Sequence, residues 1–397
     1  MYVQVFTIFL SLMLSVTAQR CSKENALEVV HRPVYEFSVR LLDKISFEAK
    51  GHFVYSPLYT WLQLSALAEG ARNSTLKQIL STARLTRHRR IPCYRKKFRE
   101  IVNDVNNNLD IDSERSSVII VDEFYKVKKG FKRSVEMLEN TKVLSLNFDK
   151  MEESAAEANE VIKFNTNGVM NDVVYPNDFV NRVLIMSDAA YLKSAWKHPF
   201  NIALTEIKPF YTENNVINGY VNMMHQYGAF NVTQIPIINA KVLELPCKGD
   251  ISLLIFLPLR ESILDLFYLL KHVSLKGIFN SFKLKPANIS VPRFEIDTEV
   301  SNIRELLIDL GVERAFYPEK AQLNGISDFK IHVSLMTQLA KIEVTEHYVQ
   351  ASIETEFLFD PAKVVDFQVN RPFAYMLVDR KSYIILFAGM YSRPSKQ

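Results

Sequence analysis

The sequence predicts an α+β fold with largely antiparallel or mixed sheets. Three observations carry this prediction: helix-like segments come first along the chain, strand-like segments dominate from Val216 onward, and neither βαβ alternation nor an internal repeat is present. The composition is typical of a globular chain, since 48% of the 397 residues are hydrophobic and 23% are charged. No shift in composition divides the chain, so a single large domain is predicted.

Five segments have apolar residues at helical spacing, which is typical of helices that pack one face on a core. The last is expected to begin at a cap formed by Thr298 or Ser301 and to end at Gly311, because glycine tolerates the left-handed conformation that closes many helices. The predicted helices cover residues 26–45, 59–71, 75–85, 152–164 and 301–310.

Seven further segments are rich in β-branched and aromatic residues and have strand length. The most apolar of them, around residues 251–259, is far too short to cross a bilayer, so no membrane span is expected. The predicted strands cover residues 118–125, 183–192, 242–245, 251–257, 289–296, 341–344 and 383–389.

The N-terminus predicts secretion. Residues 5–16 form a short apolar run, and the small residues Val16, Thr17 and Ala18 that follow suit signal peptidase. No Lys or Arg precedes the run, and a buried N-terminal helix is the alternative, but the polar residues from 19 onward break the pattern abruptly. We expect residues 1–18 to be a signal peptide, 19–397 to be the mature domain, and the protein to be extracellular.

A secreted chain passes through an oxidising, glycosylating compartment, where cysteines can form disulfides and Asn-x-Ser/Thr sites can carry glycans. A disulfide between Cys21 and Cys93 is one hypothesis, which leaves Cys247 beside an apolar stretch as a buried, inert thiol. The candidate glycosylation sites are Asn73, Asn231 and Asn288, and the alternative at each is an unmodified asparagine.

The sequence carries no established catalytic, phosphate-binding or metal-binding motif. Only 11 glycines occur, which leaves little material for phosphate-cradling loops, and the eight histidines lack metal-ligand spacing. We therefore expect a protein that is not an enzyme and needs no cofactor or metal, with unmarked catalytic residues as the alternative. No nucleic-acid partner is expected, and the chain is expected to be a monomer.

A basic cluster lies between residues 84 and 99, where no acidic residue occurs before Glu100. Apolar residues at 98, 101, 102 and 105 form a helical stripe, so the basic groups from 95 onward are predicted to face solvent. Such a positive stripe can bind a glycosaminoglycan such as heparan sulfate, while the alternative is an ordinary solvated helix face. The candidate residues are Arg95, Lys96, Lys97 and Arg99.

A series of short motifs lies at residues 55–57, 167–168, 191–200, 221–224, 242–246, 291–294, 310–312, 324–327, 367–373 and 385–389. In this order they resemble the landmarks of the serpin (serine protease inhibitor) family and cover nearly the whole mature chain. Ala374 departs from the pattern, since a larger apolar residue is usual there.

The resemblance implies one domain of three β-sheets and about eight or nine helices, with an exposed reactive loop at about residues 346–366. In inhibitory members a serine protease cleaves this loop and forms an acyl-enzyme. It is then trapped because the cleaved loop inserts as a new strand before the acyl bond is hydrolysed. Family spacing places the cleaved bond near residues 360–363. Lys363-Val364 suits a trypsin-like protease, and Phe359-Asp360 is the chymotrypsin-like alternative.

The start of the loop departs from the inhibitory pattern. Tyr348 stands where inhibitory serpins have a hinge glycine, and Ile353 and Glu354 stand where they have alanine. Residues 349–356 nevertheless alternate apolar or small residues with polar ones, as an inserting strand requires. The hinge residues are Glu346, His347, Tyr348, Val349, Gln350 and Ala351.

Four further positions resemble the shutter, the polar cluster beneath the opening sheet. Ser56 is retained, whereas Tyr59, Asp188 and Gln338 occupy places usually held by Ser, Asn and His. These departures favour a secreted serpin that is non-inhibitory or weakly inhibitory. The alternatives are a functional suicide inhibitor of a trypsin-like protease and a glycosaminoglycan-binding carrier or interaction protein.

Overall fold

The computed structural model describes residues 21–85, 91–107, 112–193, 195–259, 262–346 and 364–394. These ranges contain nine α-helices. The helices are α1 (Lys23–Glu48), α2 (Pro57–Gly70), α3 (Asn73–Thr82), α4 (Ile91–Asn107), α5 (Lys129–Val135), α6 (Met151–Asn165), α7 (Leu266–Leu270), α8 (Leu275–Ser281) and α9 (Ile303–Leu310).

Fourteen strands lie within the same ranges. They are β1 (Phe53–Tyr55), β2 (Asp112–Asp122), β3 (Thr141–Leu146), β4 (Leu184–Lys193), β5 (Glu206–Tyr211), β6 (Ile217–Ile235), β7 (Ala240–Pro246), β8 (Ile251–Pro258), β9 (Lys283–Pro292), β10 (Phe294–Val300), β11 (Leu335–Val344), β12 (Val365–Gln368), β13 (Phe373–Asp379) and β14 (Ile384–Tyr391).

Five strands form a mixed sheet in the order β10-β11-β4-β2-β3. Its central pair, β4 and β11, is parallel, and the register runs from Leu335 opposite Ile185 to Glu343 opposite Lys193. Since the two strands are directly hydrogen-bonded, the sheet is closed at this point. Helix α6 packs against β2 and β3 of this sheet.

The other strands form a second sheet in the order β1-β14-β13-β8-β7-β6-β9-β12, with β5 also paired to β6. Strand β6 is 19 residues long and pairs with β5, β9 and β7 along its length. It therefore joins the second and third sheets that the resemblance implies into one hydrogen-bonded unit within the described residues. The predicted α+β class, with mixed sheets, is confirmed.

Helix α2 lies in the centre of the main core, packed against α1, β14 and β4. It begins at Pro57, which is favoured in a first helical turn because its missing N–H has no partner there. Every residue of α2 except Glu69 is buried, so the helix is apolar on nearly all sides. This burial places its few polar side chains inside the protein, directly beside the five-stranded sheet.

The structure corrects two sequence-based predictions. Residues 289–296 are not one strand, because β9 ends at Pro292 and β10 begins at Phe294, so the chain changes sheets at Arg293. Neither Thr298 nor Ser301 caps α9: the residue before the helix is Asn302, and the Thr298 hydroxyl lies in β10 and accepts the Val54 N–H at 3.0 Å. The expected end of α9 at Gly311 is confirmed by a φ of 108°.

Candidate functional site at the β4–β11 seam and the loop base

The seam between β4 and β11 ends where the chain enters the 347–363 segment, which contains most of the expected reactive loop. Near this end, side chains bridge the two strands. The Tyr191 hydroxyl on β4 donates to Glu343 Oε1 on β11 at 3.1 Å, and Lys193 Nζ lies 3.7 Å from Glu343 Oε2. Any strand that entered here would have to break these contacts and the backbone pairing.

Gln338 clasps β11 to the start of α2. Its Oε1 accepts the Ser56 backbone N–H at 2.7 Å, and its Nε2 donates to the Ser56 carbonyl at 3.1 Å. The Ser56 hydroxyl donates to the carbonyl of Leu386 on β14 at 2.6 Å. All three polar groups are buried, so each bond compensates a desolvated donor or acceptor. The cluster ties three elements together under the seam.

Asp188 lies directly opposite Gln338 in the β4–β11 register and is fully buried. Burial raises the pKa of its carboxyl to about 6, although the Arg115 guanidinium, Ser117 and Gln63 all act to lower it. No described residue donates a hydrogen bond of normal geometry to either carboxylate oxygen. Ionised Asp188 is therefore an incompletely compensated buried charge.

Arg115 on β2 is also buried, and its guanidinium lies 4.7 Å from the centre of the Tyr59 ring. Its Nη1 donates to the carbonyl of Glu139 at 3.0 Å. Burial raises the pKa of Tyr59 to about 12, so its hydroxyl is neutral at physiological pH, and the ring packs edge-on against Phe387 at 6.1 Å. Thus two of the predicted shutter positions, Tyr59 and Asp188, interact with a buried cation that sequence reasoning missed.

Arg115 was nevertheless detectable in principle. Alternation along β2 places residue 115 on the same side as the buried Ile119 and Val121, so a charged residue there predicts an internal partner. Gln63, also missed, lies one helical turn after Tyr59 and is buried.

The base of the loop is anchored at Glu346, the last residue described before it. The carboxylate is buried; its Oε1 accepts the Thr205 hydroxyl at 2.8 Å, and its Oε2 lies 3.7 Å from Arg293 Nη1. The indole N–H of Trp196 donates to the neighbouring carbonyl of Thr345 at 2.7 Å. The two residues at the base of the loop, Thr345 and Glu346, are therefore held by side chains from three other segments of the chain.

The remaining predicted hinge residues, His347, Tyr348, Val349, Gln350 and Ala351, lie outside the described residues, as does Lys363. Val364 is described and half-buried, immediately before β12, which pairs in parallel with β9. The predicted signal peptide, 1–18, also lies outside the described residues.

The expectation that the basic helix faces solvent is wrong for Arg95 and Arg99. Both are 4% exposed, and both point to one oxygen, Glu69 Oε1, at 3.5 and 3.3 Å. The reason is helical spacing, because 95 and 99 are one turn apart and share a face with the buried residue 98. Lys96 is exposed, and half-buried Lys97 pairs with Glu100 at 2.8 Å.

The cysteines and glycosylation candidates have distinct surroundings. Cys21 and Cys93 form a disulfide that joins the segment before α1 to α4. Cys247 is buried, and burial raises the pKa of its thiol to about 12. Asn73 and Asn288 are exposed, whereas half-buried Asn231 donates its side-chain amide to Glu244 at 2.7 Å.

Among the described helices, none is long and apolar enough to cross a bilayer.

Comparison with known proteins identifies the family. A family model described as serpin (serine protease inhibitor) matches residues 33–394. The chain is similar to serine protease inhibitor A6 of Xenopus laevis, at 26% identity over 91% of this chain and 83% of that protein. It is similar to antitrypsin of Bombyx mori, at 24% identity over 98% of both chains.

Solved structures show the same fold. Native protease nexin-1 with heparin matches with a TM-score of 0.82 and 24% identity, covering 93% of this chain and 100% of that chain. Mouse protein-Z dependent protease inhibitor matches with a TM-score of 0.81 and 22% identity, covering 94% and 99%. The match to the family model spans most of the sequence and agrees with the closed five-stranded sheet. The chain therefore belongs to the serpin family, whose members are protease inhibitors and generally not enzymes.

Proposed function

We propose that this chain is a secreted serpin that presents a protease-sensitive loop at about residues 346–366 but inhibits serine proteases weakly or not at all. The observation that carries the proposal is the position of Tyr348. It follows the buried Glu346 by two residues and stands where the resemblance implies a glycine, so insertion of the loop would have to pass a tyrosine ring between β4 and β11.

Speed decides between inhibition and simple cleavage, because insertion must outrun hydrolysis of the acyl-enzyme. Entry requires the loss of the Glu343 contacts and of the anchors on Glu346. A tyrosine in place of glycine adds bulk and removes backbone freedom at the same point. Ile353 and Glu354 add a second obstacle, since alanine would pass between the strands more easily.

Secretion is part of this proposal. The Cys21–Cys93 disulfide suits an oxidising compartment, because such bonds are rare in the cytosol. Exposed Asn73 and Asn288 are the glycosylation sites that we propose, while the engaged amide of Asn231 makes that position the least favourable of the three.

Thermal unfolding after loop cleavage tests the proposal. We expect the midpoint of the cleaved protein to lie within about 3 °C of that of the intact protein, which corresponds to about 2–3 kcal/mol at this chain length. The protein would be nicked with trypsin or chymotrypsin, and mass spectrometry would locate the cut. A rise of more than about 10 °C would report strand insertion and favour the alternative, a functional inhibitor of a trypsin-like protease cleaved at Lys363-Val364.

That alternative rests on one specific feature, the strand-like alternation of residues 349–356. In an inserted strand it would direct Val349, Ala351, Ile353 and Thr355 to one face and polar residues to the other.

Glycosaminoglycan binding is a second candidate function, now restricted to the accessible part of the basic cluster. The double change Lys96→Ser and Lys97→Ser is expected to weaken binding to heparin about fivefold, or about 1 kcal/mol for one exposed and one half-buried charge. Elution from a heparin column along a salt gradient measures this loss.

The matched control is Lys283→Ser with Lys285→Ser, which removes the same charge from exposed positions on β9. Arg95 and Arg99 stay unchanged, because their substitution would disturb the buried pair with Glu69. If both double variants elute together with the unmodified protein, α4 is not a glycosaminoglycan site.

A further inference from the structure

The Asp188 side chain occupies an unusual position on the five-stranded sheet. It is fully buried, it lies on the seam-forming strand β4 opposite Gln338, and the register also places it opposite Ser117 on β2. The Ser117 and Gln63 side chains act to lower the pKa of the carboxyl, but neither donates to a carboxylate oxygen with normal hydrogen-bond geometry. Since buried carboxylates are ordinarily paired, this one requires a physical account.

The ionisable groups that face Asp188 come from three elements. Arg115 on β2 is the cation, its guanidinium lies over the Tyr59 ring of α2, and Tyr55 on β1 is a neutral phenol whose pKa is raised by burial. Strand β11 contributes the uncharged Gln338, whose amide oxygen accepts from the Ser56 N–H and whose amide nitrogen donates to the Ser56 carbonyl. The attraction of Arg115 therefore opposes, but does not overcome, the cost of burying the carboxylate.

We infer that the Asp188 carboxyl is a proton-operated latch on the seam, which favours the closed β4–β11 pair when protonated and favours its opening when ionised. Protonation removes the buried charge while the seam is closed. Opening of the seam admits water to the β4 edge, which hydrates the ionised form. The latch regulates strand entry, and to that extent it rests on the proposed function of the loop.

The direction of the pH effect follows from linkage. The pKa of Asp188 is about 6 in the closed protein, above its ordinary value of 3.8, so the closed form holds the proton more tightly than an open, hydrated form. The advantage of the closed seam is complete below about pH 4, falls as the pH rises towards 6, and is lost above it. At neutral pH Asp188 is ionised and favours opening of the seam, whereas at acidic pH it is protonated and favours the closed seam.

Hydrogen–deuterium exchange of the β11 amides, Leu335–Val344, measures the opening directly. After correction for the intrinsic exchange rate and division by the exchange of β13, the opening constant is expected to rise about tenfold between about pH 5 and about pH 7.5. In Asp188→Asn, which keeps the side-chain shape, this rise is expected to vanish and protection at neutral pH to increase.

Asp178→Asn is the matched control. Burial also raises the pKa of Asp178, but this carboxyl lies in a short 3-10 helix, Pro176–Phe179, where it accepts the Tyr175 N–H, and it belongs to neither β4 nor β11. The control should keep the pH dependence of the unmodified protein at β11.

A second variant, Asp188→Ser, serves if Asp188→Asn does not fold. A tenfold rise that persists in whichever Asp188 variant folds would overturn the latch. Because no protease takes part, failure of the latch leaves the proposed function standing, and a covalent protease complex would refute that proposal without touching the latch.

Discussion

Glu69→Ala is expected to lower the free energy of unfolding by about 3–5 kcal/mol, because it leaves two buried guanidinium groups without their shared anion. Arg95 and Arg99 both point to Glu69 Oε1, and burial already lowers the pKa of Arg95. Urea unfolding followed by circular dichroism gives the free energy of unfolding. An unchanged slope of this free energy against urea concentration shows that the unfolding transition is the same.

Two further variants separate charge burial from loss of packing. Lys97→Ala removes a half-exposed ion pair with Glu100 and should cost at most about 0.5 kcal/mol. Glu69→Leu combined with Arg95→Met and Arg99→Met should recover most of the lost stability, since an apolar replacement of a buried ion cluster is often neutral. If Glu69→Ala were no worse than Lys97→Ala, the buried triad would have no structural role.

Tyr348→Gly combined with Ile353→Ala and Glu354→Ala is expected to raise the fraction of trapped protease at least about tenfold. The three changes remove bulk from the part of the loop that would insert first. A tenfold faster insertion requires the free-energy barrier to insertion to fall by about 1.4 kcal/mol. The number of serpin molecules consumed per trypsin molecule inactivated gives the partition between trapping and simple cleavage.

The same triple variant carrying Lys363→Ala is the control, because it removes the proposed trypsin site and leaves the rest of the loop unchanged. It should neither be cut at this bond nor trap trypsin. A triple variant that is cleaved as a plain substrate, with no gain in trapping, would show that the obstacle lies elsewhere, for example in the clasp between Gln338 and Ser56.

Sequence periodicity predicted five of the nine described helices within a few residues. Among the fourteen described strands it predicted β4, β7, β8 and β14 within a few residues and only parts of β2 and β11. It failed at residues 289–296, where apolar residues continue across Pro292 and Arg293 while the chain passes from one sheet to the other. Local alternation contains no information on which distant strand is the partner, so a change of sheet leaves no mark in the pattern.

The site was partly predictable. Ser56, Asp188 and Gln338 were identified by position, and the structure brings them together under the seam. The burial of Arg95 and Arg99 was missed because their partner, Glu69, lies on another helix, and charge alone predicts a solvated face. The encounter of Arg115 with Asp188 was missed for the same reason, since pairing across strands decides it.

The most direct test of weak or absent inhibition is to incubate the intact protein with trypsin, and separately with chymotrypsin, and to boil the mixtures in SDS before electrophoresis. Our account predicts a chain cleaved within about residues 359–364 and free protease in both mixtures. A protease that stays covalently attached to the cleaved chain after boiling, in a substantial fraction of either mixture, would contradict it.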